Sequence, residues 1–323
     1  MSGPVSTSDV PAVPVSDVAE HCPVEVLAAR HAEVGGIDVR RLLPRRDRRM
    51  LGAWCFVDHM GPASSHHGRL DVGPHPHIGL QTVTWLLDGE LLHRDGLGSE
   101  QLIRPGQLNL MTAGRGVAHA EESSALTGGA DRAGTSRTSR PLHGVQLWVA
   151  QPSTTRDGDP AFEHHDQLPQ VALDAGVATV LVGELLSARS PARRDTDHIG
   201  VELSLTTGRS IVPLVSGFEH GLVVLDGAVS IGGTRLEPGH LGYLGIGRDE
   251  VPLDALQRSR VLLLGGVPFP EPILMWWNYV ARTRDEITAA HRDWTLRRPR
   301  FAPVASPLER IDVSGPPWTN DLG

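Results

Sequence analysis

The sequence predicts an all-β protein of two tandem barrels with a short C-terminal helix. Three observations predict it. The 323 residues include 36 Gly and 25 Pro and few stretches of helical period, a turn-rich composition. Two short ligand-like motifs, His75-Pro76-His77 and His119-Ala120-Glu121, sit at the ends of strand-like segments. The second half carries a degraded copy of the first. Leu222-Val223-Val224-Leu225-Asp226-Gly227 echoes Trp85-Leu86-Leu87-Asp88-Gly89. Pro238-Gly239-His240-Leu241-Gly242-Tyr243 echoes Pro105-Gly106-Gln107-Leu108-Asn109-Leu110. A chain this long exceeds one small barrel, so two domains is the natural division.

Residues 1–22, rich in Ser, Pro, Val and Asp, are expected to form a flexible tail. Residues 23–155 are assigned to the first barrel. Its early arginines, Arg40, Arg41, Arg45, Arg46, Arg48 and Arg49 around Pro44, read as a solvated loop between two strands, with a phosphate or acidic-partner site as the alternative. Leu80 to Leu87 is a strand, rich in β-branched and aromatic residues. Asp88-Gly89 and Pro105-Gly106 are turn signals, Gln107 to Met111 partly alternates, and Thr112 to Gly116 is a tight connection into His119. Gly128 to Arg140 is a loop by composition, either a lid over the site or a disordered insertion. His143 to Val149 is a further strand on which Gln146 and Trp148 share a face, for the cavity or for packing.

Residues 156–267 are assigned to the second barrel. Counting from Asp226 and Pro238, the positions of His75, His77, His119 and Glu121 become Pro213, Val215, Pro252 and Asp254. The second barrel is therefore expected to hold no metal in this way, and His220 and His240 are expected at the surface. Residues 268–298 are a C-terminal segment with a helix. Thr283 and Glu286 have capping-box spacing before a helix over Asp285–Trp294, with Ile287 and Trp294 available to bury. Residues 299–323, with several prolines, read as an irregular tail.

The candidate site follows from strand geometry. Side chains at i and i+2 of a strand point to one face. If the two motif strands lie side by side, His75, His77, His119 and Glu121 converge on one point. Each buried polar group left without a partner costs roughly 1–3 kcal/mol, which a divalent ion removes. The bland alternative is a set of surface groups or a hydrogen-bonded cluster. His93 could partner a ligand, but an exposed strand histidine is the expectation. Trp85, Met111 and Trp148 could pack an aromatic substrate, with core packing the stronger reading.

Composition excludes other classes. The net charge of −8 disfavours a nucleic-acid surface. The two cysteines, Cys22 and Cys55, form no C-x-x-C and no disulfide scaffold. There is no signal-like N-terminus and no long apolar run, so a soluble, cytoplasmic protein is expected, and the two-barrel form can stand alone as a monomer.

Five segments resemble the pirin family of the cupin superfamily. They are Phe56-Val57-Asp58-His59-Met60-Gly61-Pro62, His75-Pro76-His77-Ile78-Gly79 with Thr82-Val83-Thr84, the run from Pro105 to Gly116, His119-Ala120-Glu121, and Gly144 to Val149. Pro268 to Ile287 resembles the family's C-terminal segment, with Met275-Trp276-Trp277-Asn278-Tyr279 like a bacterial subgroup. The resemblance is dense over residues 50–150 and looser over 160–290. It implies two cupin barrels (double-stranded β-helices), a C-terminal helix packed on the first barrel, and one metal held by His75, His77, His119 and Glu121. The metal implied is iron(II), although such a donor set also accepts Mn, Ni, Cu, Co or Zn. The resemblance further implies an oxygenase of the quercetin 2,3-dioxygenase kind, acting with O2 on a flavonol or similar enol aromatic, with Glu121 as the catalytic base. Its rival is a redox-sensing regulator whose metal state controls binding to a protein partner. The Gly128–Arg140 loop is longer than the family norm.

Overall fold

The computed structural model describes residues 23–62, 70–123 and 141–322. The 1–22 tail and the Gly128–Arg140 loop lie outside the described residues. Each half of the chain is a seven-stranded sheet facing a four-stranded one, so the expected all-β, two-barrel architecture is what forms. The first large sheet runs Ala161–His165, Leu108–Thr112, Leu80–Asp88, His143–Ala150, Trp54–Met60, Ile37–Leu43, Arg30–Val34. Its small partner runs Val72–His77, Val117–Ser123, Leu91–Asp95, Glu100–Ile103. In the second half the large sheet is Glu25–Ala28, His240–Gly245, Glu219–Asp226, Ser259–Gly266, His198–Leu205, Gly176–Val182, Gln170–Leu173. Its small sheet is Gly208–Pro213, Glu250–Ala255, Val229–Ile231, Thr234–Leu236.

Strand alternation decides what each large sheet buries. Val145, Leu147 and Val149 share one core with Leu262, Leu264, Val223 and Leu225 of the other half. The intervening Leu222, Val224, Val261 and Leu263 fill the interior of the second barrel. These strands are covered on both faces, which explains why they read as unbroken apolar runs. The two large sheets thus pack back to back. Trp85 belongs to this inter-barrel core, which removes it from the substrate candidates.

Two strands cross the boundaries drawn from the sequence. Glu25–Ala28 pairs with His240–Gly245 of the second half, and Ala161–His165 pairs with Leu108–Thr112 of the first. The arginine run also departs from a solvated loop. Arg40 and Arg41 lie within a strand, and Arg41 makes a two-pronged bond to buried Asp58 at 2.8 and 2.7 Å. Arg48 bonds Glu25 at 2.9 Å and stacks over Tyr243 with 3.4 Å to the ring centre, so it ties the halves together.

The C-terminal segment packs on the first barrel. A hairpin, Leu274–Trp276 with Tyr279–Ala281, precedes the helix Arg284–Thr295. Ile287 and Trp294 are buried against Ile78, Ala118 and Tyr279. Thr283 caps the helix through the Glu286 amide, as the capping-box spacing predicts. Glu286 reaches back to the Arg282 amide rather than to Thr283, and it also accepts from Arg156. The irregular tail is firmly seated: Ile311 donates to the Pro74 carbonyl at 2.9 Å, and Phe301 is buried.

His220 is buried, not at the surface, while His240 is half-buried. The reason for His220 is its cross-strand neighbour. Gly265 has no Cβ, and a Cβ there would sit 2.6 Å from the His220 ring. Burial pushes His220 and His198 down to about 4, so both are neutral in the folded protein. Depressed histidines stabilise above pH 6.5, and that stability is lost as pH falls towards 4. Urea denaturation at pH 7 and pH 4.5 should show a loss of up to about 3 kcal/mol per histidine. A His198→Gln, His220→Gln double variant should show a shallower loss.

Candidate metal centre

The two motif strands lie side by side, with His119 opposite His75 and Val117 opposite His77. A bulge follows, because Glu121 pairs with Val72 rather than with Gly73. Bulges re-aim side chains, and this one falls between His119 and Glu121. His75, His77 and His119 are all buried, and one ring nitrogen from each lies within 4.8 Å of the others. The Nε2 atoms of His77 and His119 are 3.0 Å apart. Glu121 is buried on the same strand, but its carboxylate falls outside that close group. It is in hydrogen-bond contact with Thr84, whose hydroxyl donates to Gln146 Oε1 at 2.8 Å.

The outer nitrogens decide what the inner ones can do. His75 Nδ1 donates to the Gly73 carbonyl at 2.9 Å, and His77 Nδ1 donates to the Asn278 carbonyl at 3.0 Å. A carbonyl accepts only, so each of these rings carries its proton on Nδ1 and a lone pair on Nε2. Burial, with the neighbouring histidines adding to it, holds His77 and His119 well below the ordinary histidine value. Burial also takes His75 down to about 4. His75 and His77 thus turn bare Nε2 lone pairs towards His119 in a dry site, an arrangement that a cation between the three rings would stabilise. The donor set therefore fits a divalent transition metal.

Burial pushes the Glu121 carboxyl up to about 7, with the Thr84 hydrogen bond pulling the other way. Trp148 stands edge-on to His77 with ring centres 5.2 Å apart and stacks on Phe56 at 4.1 Å. Met111 packs in the same apolar cluster as Trp148. Gln146 shares the Trp148 face and engages Thr84, so that face of the strand lines the site.

Sequence reasoning missed two features. His93 is 4 % exposed, against the expected exposed strand histidine. It stacks on Phe162 at 4.4 Å, and its Nδ1 lies 3.4 Å from His119 Nδ1. The signal was available, because His93 and Asp95 are themselves an i, i+2 pair. The Asn278 carbonyl had no such signal, because a backbone acceptor from a distant hairpin leaves no trace in residue type.

Gly79 fixes that hairpin. Its φ is +67°, and a Cβ would lie 2.2 Å from the Val280 carbonyl oxygen. Val280 N in turn donates to the Ile78 carbonyl. Gly79→Ala should cost at least about 2 kcal/mol from left-handed backbone and overpacking. It should also weaken metal binding, by moving the Asn278 carbonyl off His77. Chemical denaturation and metal titration of the same variant check both effects.

Two family models match the chain: Pirin over residues 36–149, and the Pirin C-terminal cupin domain over residues 200–301. A protein of Pseudomonas aeruginosa that bears the provisional name quercetin 2,3-dioxygenase is 45% identical over 91% of this chain and 91% of its own length. Human pirin is 29% identical over 84% of this chain and 91% of its own length. The crystal structure of a quercetin 2,3-dioxygenase from Acinetobacter baumannii superposes with a TM-score of 0.84 at 42% identity, covering 91% of this chain and 96% of that one.

Proposed function

This chain belongs to the pirin family, and on that premise we propose that it is a metal-dependent dioxygenase of the quercetin 2,3-dioxygenase type. The observation that carries the reading is the convergence of three buried imidazoles on the strand that also holds one buried carboxyl group, Glu121. In this reading His75, His77, His119 and Glu121 hold one divalent ion, iron(II) by preference. When bound, that ion supplies Lewis acidity and open positions for substrate and O2. The substrate is a flavonol or a similar enol-bearing aromatic.

The chain's own groups do the rest. Glu121 takes the proton of the substrate's acidic hydroxyl onto a carboxylate oxygen. Burial raises this carboxyl in the ion-free protein, and a cation bound beside it would pull it back down, keeping it ionised and able to accept the proton. Thr84 lies in hydrogen-bond contact with the carboxyl, and Gln146 in turn fixes the Thr84 hydroxyl. Trp148 and Phe56 offer a stacked apolar wall beside His77, suited to a planar aromatic ring. Similarity to proteins named quercetin 2,3-dioxygenase supports the substrate class.

The test is anaerobic reconstitution with iron(II), then exposure to oxygen with quercetin present. The expected result is oxygen-dependent loss of quercetin absorbance. Glu121→Gln should retain most of its metal and lose roughly 100- to 10,000-fold in turnover, the range for a lost general base. A fully loaded wild type that consumes no quercetin would overturn the substrate assignment. The redox-linked regulator would then be the reading to pursue, through partner binding that follows the metal's oxidation state.

A further inference from the structure

We propose that His93 and Asp95 are positioning residues of the metal centre, holding His119 in the one tautomer that can bind the ion. The proposal rests on the reading of His75, His77 and His119 as metal ligands. Its starting point is a row of three groups. Asp95 Oδ1 accepts the amides of Leu97 and Ser99, both at 2.9 Å. Asp95 Oδ2 faces His93 Nε2 at 3.2 Å, and His93 Nδ1 faces His119 Nδ1 at 3.4 Å.

With both rings in the neutral form that a cation at the site selects, proton counting along that row leaves one arrangement. A carboxylate only accepts, so His93 Nε2 carries the proton. Neutral His93 then has a lone pair on Nδ1, and that lone pair accepts the Nδ1 proton of His119. Neutral His119 is left with its lone pair on Nε2, directed at His77 Nε2, 3.0 Å away. His75 and His77 reach the same state more simply, through backbone carbonyls. His119 has only an imidazole beside its outer nitrogen, and an imidazole can face it as donor or as acceptor. Asp95 removes that ambiguity. A buried carboxylate at the end of the row also makes His119 a stronger electron donor.

The alternative is that His93 is a core histidine whose hydrogen bonds are incidental. It stacks face to face on Phe162 with ring planes 14° apart, so packing alone could account for its burial. Three variants separate the two. His93→Phe keeps a ring on Phe162 and removes the acceptor. His93→Asn removes the ring and returns an acceptor oxygen near the Nδ1 position. Asp95→Asn changes one atom. Its oxygen stays with the two backbone amides, so its NH2 faces His93 Nε2. That amide donates, so His93 moves its proton to Nδ1 and opposes His119 with a second donor.

The experiment is titration of the metal-free protein with zinc or iron(II), alongside thermal melting without metal. His93→Phe and Asp95→Asn should bind metal about 10- to 100-fold more weakly, the range for a lost outer hydrogen bond. His93→Asn should return to within a few-fold of wild type. The iron midpoint potential should rise in His93→Phe and Asp95→Asn and fall back in His93→Asn, because a less basic His119 stabilises iron(III) less. Wild-type affinity and potential in both His93→Phe and Asp95→Asn would overturn the proposal while leaving the metal site intact. So would an affinity that follows packing, lost in His93→Asn and kept in His93→Phe. A wild type that binds no divalent ion would instead overturn the metal reading itself, and this inference with it.

Discussion

His119→Ala is expected to weaken metal binding by a few hundred-fold and, with it, to cut oxygen-dependent turnover at limiting metal. His119 is the ring on which the site closes. Its strand pairs with the His75–His77 strand on one side and the His93–Asp95 strand on the other. Structural zinc sites in small peptides gain about 10–16 kcal/mol from four ligands, so one ligand is worth roughly 3–4 kcal/mol, or a few hundred-fold in affinity. The substitution also leaves His93 Nδ1 facing a void. Equilibrium dialysis with zinc or iron(II) measures the affinity. Melting in the presence and absence of metal supplies the control: added ion should raise the wild-type melting temperature by several times more than the variant's. An ion that stabilised both equally would be binding elsewhere.

The parts of the site legible in the sequence are those where residue type and strand period coincide. His75, His77 and His119 could be placed because i, i+2 spacing on a strand leaves only the pairing of two strands to be settled. His93 has the same spacing to Asp95, yet strand period alone does not say which face of its strand turns inward. In the fold Arg94 points away from the histidines and pairs with Glu100 and Glu122, while His93 and Asp95 share the inner face. The tandem barrels were visible in the repeated turn signals, but their exchange of edge strands was not. Glu25–Ala28 pairs with a strand more than two hundred residues away, and no local property distinguishes it from a first-barrel strand. The Gly73 and Asn278 carbonyls that orient His75 and His77 belong to the backbone and have no sequence signature of their own.

Trp54→Ala is expected to cost about 3–5 kcal/mol, the range for an aromatic side chain removed from a core, and so to consume much of a domain's stability. Trp54 is fully buried where the barrels meet. Its Nε1 donates to the carbonyls of Ile199 and Gly265 in the second barrel, at 3.1 and 3.2 Å. Its ring meets His198 edge-on at 5.3 Å and lies flush on Gly200, where a Cβ would be 3.1 Å away. Trp54→Phe should recover most of the packing and lose only the indole's hydrogen bonding to the two carbonyls, at about 1 kcal/mol. The pair of variants therefore separates area from hydrogen bonding. The same tryptophan bears on the metal site, because Trp54 begins the strand whose Phe56 supports Trp148 against His77. Metal affinity in Trp54→Phe should stay at the wild-type value if the barrels are joined rigidly without the two hydrogen bonds. It should fall if those bonds are what hold the Phe56 strand in register with the site. Denaturant melts and metal titration of Trp54→Phe, run together, decide between the two.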